Sequence, residues 1–106
     1  MKLSEKQQQF TRMIGNLILF ASDKGYGLTF GDAYRDPRAF KDNRPYGAIN
    51  SKHKSRLAVD FNIFKDGRYL RGKEADLAHG VLHDFWDDIG GGARIPRDLN
   101  HYEYPS

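Results

Sequence analysis

Four histidines and several carboxylates are the residues of this sequence best suited to bind a metal ion. His79 and His83 stand four residues apart in a segment with helical periodicity, which is the spacing of zinc ligands on a helix. A helical zinc peptidase also needs a glutamate directly after the first histidine as its general base, and that position holds Gly80. We therefore interpret this pair as two histidines on a helix face, partly buried or solvated.

His53 and Asp60 are more informative. Asp60 belongs to the stretch from Leu57 to Phe64, in which apolar residues alternate with polar or small ones. This alternation predicts a strand with Asp60 on its polar face, beside the small residue Ala58. His53 lies at the edge of the loop that leads into the strand, from where it can fold over the same face. A surface carboxylate and an ordinary loop histidine explain this stretch equally well.

The third element is Asp98, which precedes His101 by three residues at the start of an aromatic-rich strand. Taken together, these stretches suit catalytic zinc, because two imidazoles and one carboxylate (His53, His101 and Asp60) leave the fourth tetrahedral position for water. Zinc lowers the pKa of such a water from about 15.7 to roughly 7. Asp98, as a carboxylate that is not a ligand, can accept the proton of this water and pass it to a leaving amine.

The stretch around His53 resembles the Ser-x-His-x-x-Gly-x-Ala-x-Asp signature of the D-Ala-D-Ala carboxypeptidase and dipeptidase family of zinc peptidases, which have a hedgehog-like fold. Four residues match this signature: Ser51, His53, Ala58 and Asp60. Arg56 stands where the family usually has glycine. This departure puts the local backbone in question but removes no metal ligand.

Two further elements carry the resemblance. The Asp98-x-x-His101 element resembles the family's second motif, and its aspartate makes it more similar to the phage L-alanyl-D-glutamate endopeptidases. The stretch 31–37 resembles the family strand that ends in an arginine. By that resemblance Arg35 binds a substrate carboxylate or stabilises the oxyanion. The resemblance also implies that Ser51 orients a ligand or lines the cleft.

The elements that position these residues follow from the hydrophobic pattern. Ser4 and Gln7 predict a capping box that opens a first helix, whose apolar residues repeat from Phe10 to Ala21 before a stop at Gly25. A second helix is predicted from residue 73 to residue 89. Strands are predicted at 28–35, 57–64 and 101–104, with a turn at 66–67, a short hairpin arm at 68–70 and a long loop at 36–50. This order predicts an α+β fold with a small, mainly antiparallel sheet and two principal helices.

Composition narrows the classes of protein. A length of 106 residues predicts a single domain, spanning residues 1–106. The resemblance implies that it is a catalytic peptidase domain with no separate cell-wall-binding domain. Because there are no cysteines, disulfides, cysteine zinc sites and a cysteine nucleophile are excluded. The net charge of +3 fits an ordinary surface and attraction to a polyanion equally well. The polar N-terminus and short apolar stretches indicate no signal peptide and no membrane insertion.

The resemblance implies a zinc-dependent peptidoglycan peptidase, with Zn²⁺ as cofactor and stem peptides as substrate. We expect a monomeric phage endolysin that cleaves the L-Ala–D-Glu bond, is made in the host cytoplasm and reaches the cell wall through a separate pore. One alternative is a D,D-carboxypeptidase, dipeptidase or tail-associated wall hydrolase with the same site. A more distant one is a non-enzymatic basic module for nucleic acid, which the scattered basic residues do not favour.

Overall fold

The computed structural model describes residues 1–31 and 55–106. These residues form two helices and four strands, in the order α1 (Leu3–Asp23), β1 (Gly27–Phe30), β2 (Ala58–Lys65), β3 (Arg68–Tyr69), α2 (Gly72–Asp88) and β4 (His101–Glu103). The predicted α+β class, with two principal helices and a small antiparallel sheet, is confirmed. Within the described ranges, no helix has the length and apolarity that a membrane span requires.

Helix α1 buries one apolar stripe, as its periodicity predicts. The buried residues are spaced three or four apart along the helix and comprise Phe10, Met13, Ile14, Leu17 and Ala21. They pack against α2 and against one face of the sheet in a single hydrophobic core. The helix therefore serves as the scaffold that the sequence predicts.

The start of α1 differs from the prediction. The helix begins at Leu3, and the backbone N–H of Lys2 donates a hydrogen bond to Glu5 Oε1 at 2.9 Å. The predicted capping box of Ser4 and Gln7 is therefore wrong. An ionised carboxylate close to the helix N-terminus also interacts favourably with the helix dipole, which an amide does not. The side-chain amide of Gln7 instead donates to the backbone carbonyl of Ser55, 2.7 Å away.

Strand β2 is the central strand of the antiparallel sheet. β1 pairs with one edge of β2, from Gly27 opposite Phe64 to Phe30 opposite Phe61. β4 pairs with the beginning of β2 and β3 with its end. The turn between β2 and β3 has φ of 51° at Asp66 and 77° at Gly67, as expected for a tight hairpin. The predicted hairpin is confirmed.

The observed bounds differ from the predicted ones by small shifts. β2 starts and ends one residue later than predicted, α2 starts and ends one residue earlier, and β4 stops at Glu103. β1 ends at Phe30, short of the predicted end, and the described segment stops at Gly31. The remainder of the first predicted strand and the whole loop predicted at 36–50 lie outside the described residues.

The core lies on one face of β2, where Val59, Phe61 and Ile63 contact the two helices. Trp86 of α2 and Tyr102 of β4 are fully buried there. Their ring centroids lie 6.0 Å apart, edge to face. Burying apolar side chains of this size contributes roughly 1.5–3 kcal/mol each. Strand β4 is therefore fixed by its packing against α2 as well as by its pairing with β2.

Candidate functional site

Asp60 and His101 face each other across the two strands that form the centre of the site. The register of β2 and β4 places them directly opposite, and His101 Nδ1 lies 3.2 Å from Asp60 Oδ1. Both side chains are buried, with 5% of Asp60 and 9% of His101 exposed. The face of β2 that carries Asp60 was predicted to be its polar face, and in the structure Ala58 and Asp60 on that face are both buried.

Asp98 joins this pair through the turn that leads into β4. Its backbone N–H donates to the carbonyl of Ile95 at 2.9 Å, and its own carbonyl accepts from the N–H of His101 at 3.0 Å. These turns bring the exposed Asp98 carboxylate beside the buried pair. One ligand atom from each of Asp60, Asp98 and His101 lies within 4.8 Å of the others. The structure thus brings together three of the predicted site residues.

The donor atoms of this group could hold a metal ion, and their spacing can be compared with that of zinc ligands. Two ligands of a tetrahedral zinc ion, each about 2.0–2.1 Å from the metal, lie roughly 3.3 Å apart. The 3.2 Å between Asp60 Oδ1 and His101 Nδ1 matches this spacing. One imidazole and one buried carboxylate are also donor types that zinc accepts. The Asp98 carboxylate lies within 4.8 Å of the ligand atoms of Asp60 and His101, a distance that allows Asp98 to be either a metal ligand or a proton acceptor.

The remaining predicted site residues fall in the part of the chain that the structure does not describe. His53, as the other predicted imidazole ligand, and Ser51, as its neighbour in the signature, lie outside the described residues. The same is true of Arg35, the predicted contact for a substrate carboxylate. Their assignments therefore stay predictions.

His101 has a second carboxylate partner that the sequence reasoning missed. His101 Nε2 lies 2.8 Å from Glu103 Oε1, so the ring stands between Asp60 on one side and Glu103 on the other. Burial lowers the pKa of His101, but the hydrogen bonds that Asp60 and Glu103 accept from its ring, with their negative charges, outweigh this and raise the pKa above its ordinary value. The alternation of the last strand was the available signal, because it places Glu103 on the same face as His101.

His79 and His83 belong to the core and not to the metal group. Both were expected on a partly buried or solvated face, whereas they are 5% and 0% exposed. His79 Nδ1 lies 2.7 Å from the hydroxyl of Tyr102, and His83 Nε2 donates to the carbonyl of Leu99 at 2.7 Å. Burial, with the nearby His83, lowers the pKa of His79 to about 4. Two neutral imidazoles therefore fasten α2 to β4 and to the residues just before it.

A cleft of about 450 Å³ opens at the edge of β2. Two backbone hydrogen bonds flank the cleft. On one side the N–H of Phe61 donates to the carbonyl of Asn100, and on the other the N–H of Leu70 donates to the carbonyl of Ile63. The cleft exists because β3 and β4 pair with different parts of the same edge. Its lining includes residues from α2, from the start of that helix and from the turn before β4: His79, Arg71, Arg97 and Asp98. Asp98 is thus shared by the cleft and the metal group.

The backbone at Arg56 has an unusual conformation. Its φ is 60°, in the left-handed region that glycine adopts without steric cost and that costs other residues roughly 1–2 kcal/mol. This is the position at which the zinc-peptidase signature usually has glycine. The chain therefore keeps a backbone conformation suited to glycine at a position where its side chain is arginine.

Comparison of the chain with protein-family models, with curated proteins and with solved structures gives no match in any of the three. The assignment of a function therefore depends on the geometry of the site and on the motifs that lead to it. The hedgehog-like identity of the fold stays a prediction of the motif resemblance.

Proposed function

We propose that the protein is a zinc-dependent peptidoglycan peptidase of the endolysin type, which cleaves the L-Ala–D-Glu bond of the stem peptide. The observation that carries this proposal is the convergence of Asp60, Asp98 and His101 from β2, a turn and β4. These residues come from two motifs that are about forty positions apart in the sequence, and both motifs resemble those of the zinc peptidases. The proposed activity requires two ligands and a proton acceptor close together, and these three residues lie within 4.8 Å of one another.

In the proposed site, His53, Asp60 and His101 hold the zinc ion. When bound, zinc supplies a Lewis acid that polarises the scissile carbonyl and lowers the pKa of a coordinated water. Asp98 accepts a proton from the attacking water and delivers it to the leaving amine. Its exposure suits this role, because a group that transfers protons must reach both the water and the substrate. From the resemblance, Arg35 binds a substrate carboxylate and Ser51 lies beside the ligands.

The cleft beside Asp98 offers a place for the peptide. Arg71 and Arg97 both line it, and within the described residues neither forms an ion pair with a carboxylate. Stem peptides carry free carboxylates, which guanidinium groups bind with directional hydrogen bonds. In this proposal the peptide lies along the edge of β2, with its scissile bond next to Asp98.

The conformation of Arg56 also supports the proposal. A resemblance based on side chains alone gives no reason for the backbone at this position to be left-handed. The φ of 60° at Arg56 is an independent observation, because the signature has glycine at this position and glycine adopts positive φ without steric cost. The turn at Arg56 comes just before the strand that carries Asp60. Arginine at this position is therefore compatible with the left-handed backbone that glycine would favour there.

The test combines metal analysis of the purified protein with hydrolysis of purified peptidoglycan, with and without a chelator. We expect one zinc ion per chain, loss of hydrolysis after its removal and recovery on adding Zn²⁺. Full hydrolysis after complete metal removal would exclude the proposal. Product analysis identifies the bond: L-Ala–D-Glu cleavage releases whole stem peptides, whereas D,D-carboxypeptidase activity releases only D-Ala.

A further inference from the structure

We propose that Glu103 is a positioning residue that fixes the ring orientation and tautomer of His101, so that Nδ1 is the nitrogen presented to the metal. This inference depends on the proposed metal site, and it adds to that site a residue that the motifs do not contain. The juxtaposition behind it is the 2.8 Å hydrogen bond between His101 Nε2 and Glu103 Oε1.

The hydrogen-bonding capacities of the two side chains determine where the proton lies. An ionised carboxylate only accepts hydrogen bonds, and each ring nitrogen of His101 faces one. Because the contact of Nε2 with Glu103 (2.8 Å) is shorter than that of Nδ1 with Asp60 (3.2 Å), it favours the tautomer with the proton on Nε2. In that neutral tautomer the other nitrogen, Nδ1, carries the lone pair that can bind a metal ion. Nδ1 is the atom that lies 3.2 Å from Asp60 Oδ1. A metal ion at this position can therefore take Nδ1 and Oδ1 as ligands while Nε2 keeps its hydrogen bond to Glu103.

The backbone of Glu103 is held firmly enough to act as a support. Its carbonyl accepts a hydrogen bond from the indole N–H of Trp86 at 3.2 Å and another from the N–H of Gly92 at 2.8 Å. Glu103 is also the cross-strand partner of Ala58 in the pairing of β2 with β4. Trp86 is fully buried, so Glu103 is fixed by the hydrophobic core.

Gly92 is part of the same arrangement. A Cβ atom on Gly92 would lie 2.8 Å from the carbonyl oxygen of Glu103 and 2.9 Å from its Cγ, which is too close for a carbon atom. Only glycine lets the chain after α2 approach β4 this closely. Trp86 and Gly92 thus hold the backbone of Glu103 in place, and the side chain of Glu103 in turn orients the proposed ligand His101.

Orientation of a histidine ligand by a carboxylate typically changes metal affinity by about 10–100-fold. We expect Glu103→Ala to weaken Zn²⁺ binding by this factor while the stoichiometry stays at one ion per chain. Glu103→Gln keeps an oxygen that accepts from Nε2–H, so it should retain most of the affinity. Glu74→Ala is the matched control, because Glu74 is an exposed glutamate on α2 that pairs only weakly with Arg68 at 3.4 Å.

Two measurements test the inference on the full chain. Competition between each variant and a chromogenic zinc chelator gives the Zn²⁺ affinity. Long-range ¹H–¹⁵N spectra of the metal-free, ¹⁵N-histidine-labelled protein, at a pH where the imidazole is neutral, identify which nitrogen of His101 carries the proton. We expect the Nε2–H form in the wild type and in Glu103→Gln. In Glu103→Ala we expect a mixture of the two tautomers.

The outcomes separate this inference from the proposed function. Unchanged affinity and an unchanged tautomer in Glu103→Ala would overturn the positioning role while leaving the zinc site intact. Equal losses in Glu103→Gln and Glu103→Ala would also overturn it, because they would show that the negative charge matters and the hydrogen bond does not. A wild type that binds zinc but cleaves no peptidoglycan refutes the proposed function alone. A wild type that binds no zinc refutes both.

Discussion

Asp60 and His101 lie 41 positions apart in the chain, yet they are direct cross-strand partners with their side chains 3.2 Å apart. Both stand on strands that pair with each other and pack on the core. Sites on regular elements keep their geometry better than sites on loops. We therefore regard this pair as the rigid part of the proposed metal site, beside which the turn before β4 places the exposed carboxylate of Asp98.

Replacing Asp98 tests the division of roles within the group. We expect Asp98→Ala to lower turnover by about 10²–10⁴-fold, the usual contribution of a general acid–base group, while zinc stays bound at full stoichiometry. Stability should change by less than about 0.5 kcal/mol because the side chain is exposed. Steady-state hydrolysis and metal analysis measure the two effects.

The matched control is Asp88→Ala, which removes another exposed aspartate at the end of α2. It should change neither turnover nor zinc content. Loss of zinc in Asp98→Ala would show instead that Asp98 is a ligand, and the proton acceptor would then have to be another group.

The cleft gives a second prediction about the substrate. If Arg97 binds a peptide carboxylate, Arg97→Gln should raise KM about tenfold, which corresponds to roughly 1.4 kcal/mol, with little change in kcat. Arg71→Gln should act in the same direction, because Arg71 lines the same cleft. Arg12→Gln on the exposed side of α1 is the control for a simple loss of charge. A decrease in kcat alone would contradict a binding role for either arginine.

Periodic features of the fold were predictable from the sequence, because they depend on local hydrophobic spacing. The buried stripe of α1 and the hairpin at Asp66 and Gly67 are of this kind. The cap of α1 was not predicted correctly, since the sequence allows two capping boxes, one with Ser4 as N-cap and Gln7 at N3 and one with Lys2 as N-cap and Glu5 at N3. The choice between them depends on where the first turn begins.

The site itself was only partly predictable. Strand alternation identified the face of Asp60, but its burial depends on the rest of the fold. The burial of His79 and His83 depends on Tyr102 of β4 and on Leu99 of the turn before it, which share no sequence pattern with the two histidines. Glu103 was missed for a similar reason, since a charged residue near a strand end usually faces solvent.

Arg56 provides a prediction about stability. Arg56→Gly removes the steric cost of φ 60°, about 1–2 kcal/mol, and adds an entropy cost of roughly 0.5–1 kcal/mol in the unfolded chain. We expect a net stabilisation of about 0.5–1 kcal/mol, measured by urea unfolding. Arg56→Ala keeps the Cβ atom and should bring no such gain. Equal stabilisation by the two variants would show that the charge of Arg56, and not its backbone, is unfavourable.

Gly91 provides a contrasting prediction. A Cβ atom on Gly91 would collide with the indole ring of Trp86, which is fully buried and has no room to move. Gly91→Ala should therefore destabilise the protein by about 1–3 kcal/mol. Gly80 lies within α2 with open space around its Cα, so Gly80→Ala should stabilise by about 0.5–1 kcal/mol. Thermal unfolding distinguishes the two, and destabilisation of similar size in both variants would contradict the prediction.

His79 gives the pH dependence of stability. Its pKa falls from 6.5 to about 4 on folding because burial disfavours the charged imidazole. Below about pH 6.5 the unfolded chain therefore takes up a proton that the folded protein does not bind. The free energy of unfolding should fall as the pH decreases through this window, by about 3 kcal/mol in total from this group, and level off below about pH 4.

The measurement is urea unfolding of metal-free protein across this pH range, for the wild type and for His79→Gln. Glutamine does not titrate, and its amide can still hydrogen-bond to the hydroxyl of Tyr102, which His79 contacts at 2.7 Å. The stability difference between the two proteins should therefore shrink as the pH falls. His83 also has a lowered pKa, so both proteins should keep some loss of stability at low pH. Parallel pH profiles for the two proteins would show that His79 is protonated in the folded state near its ordinary pKa.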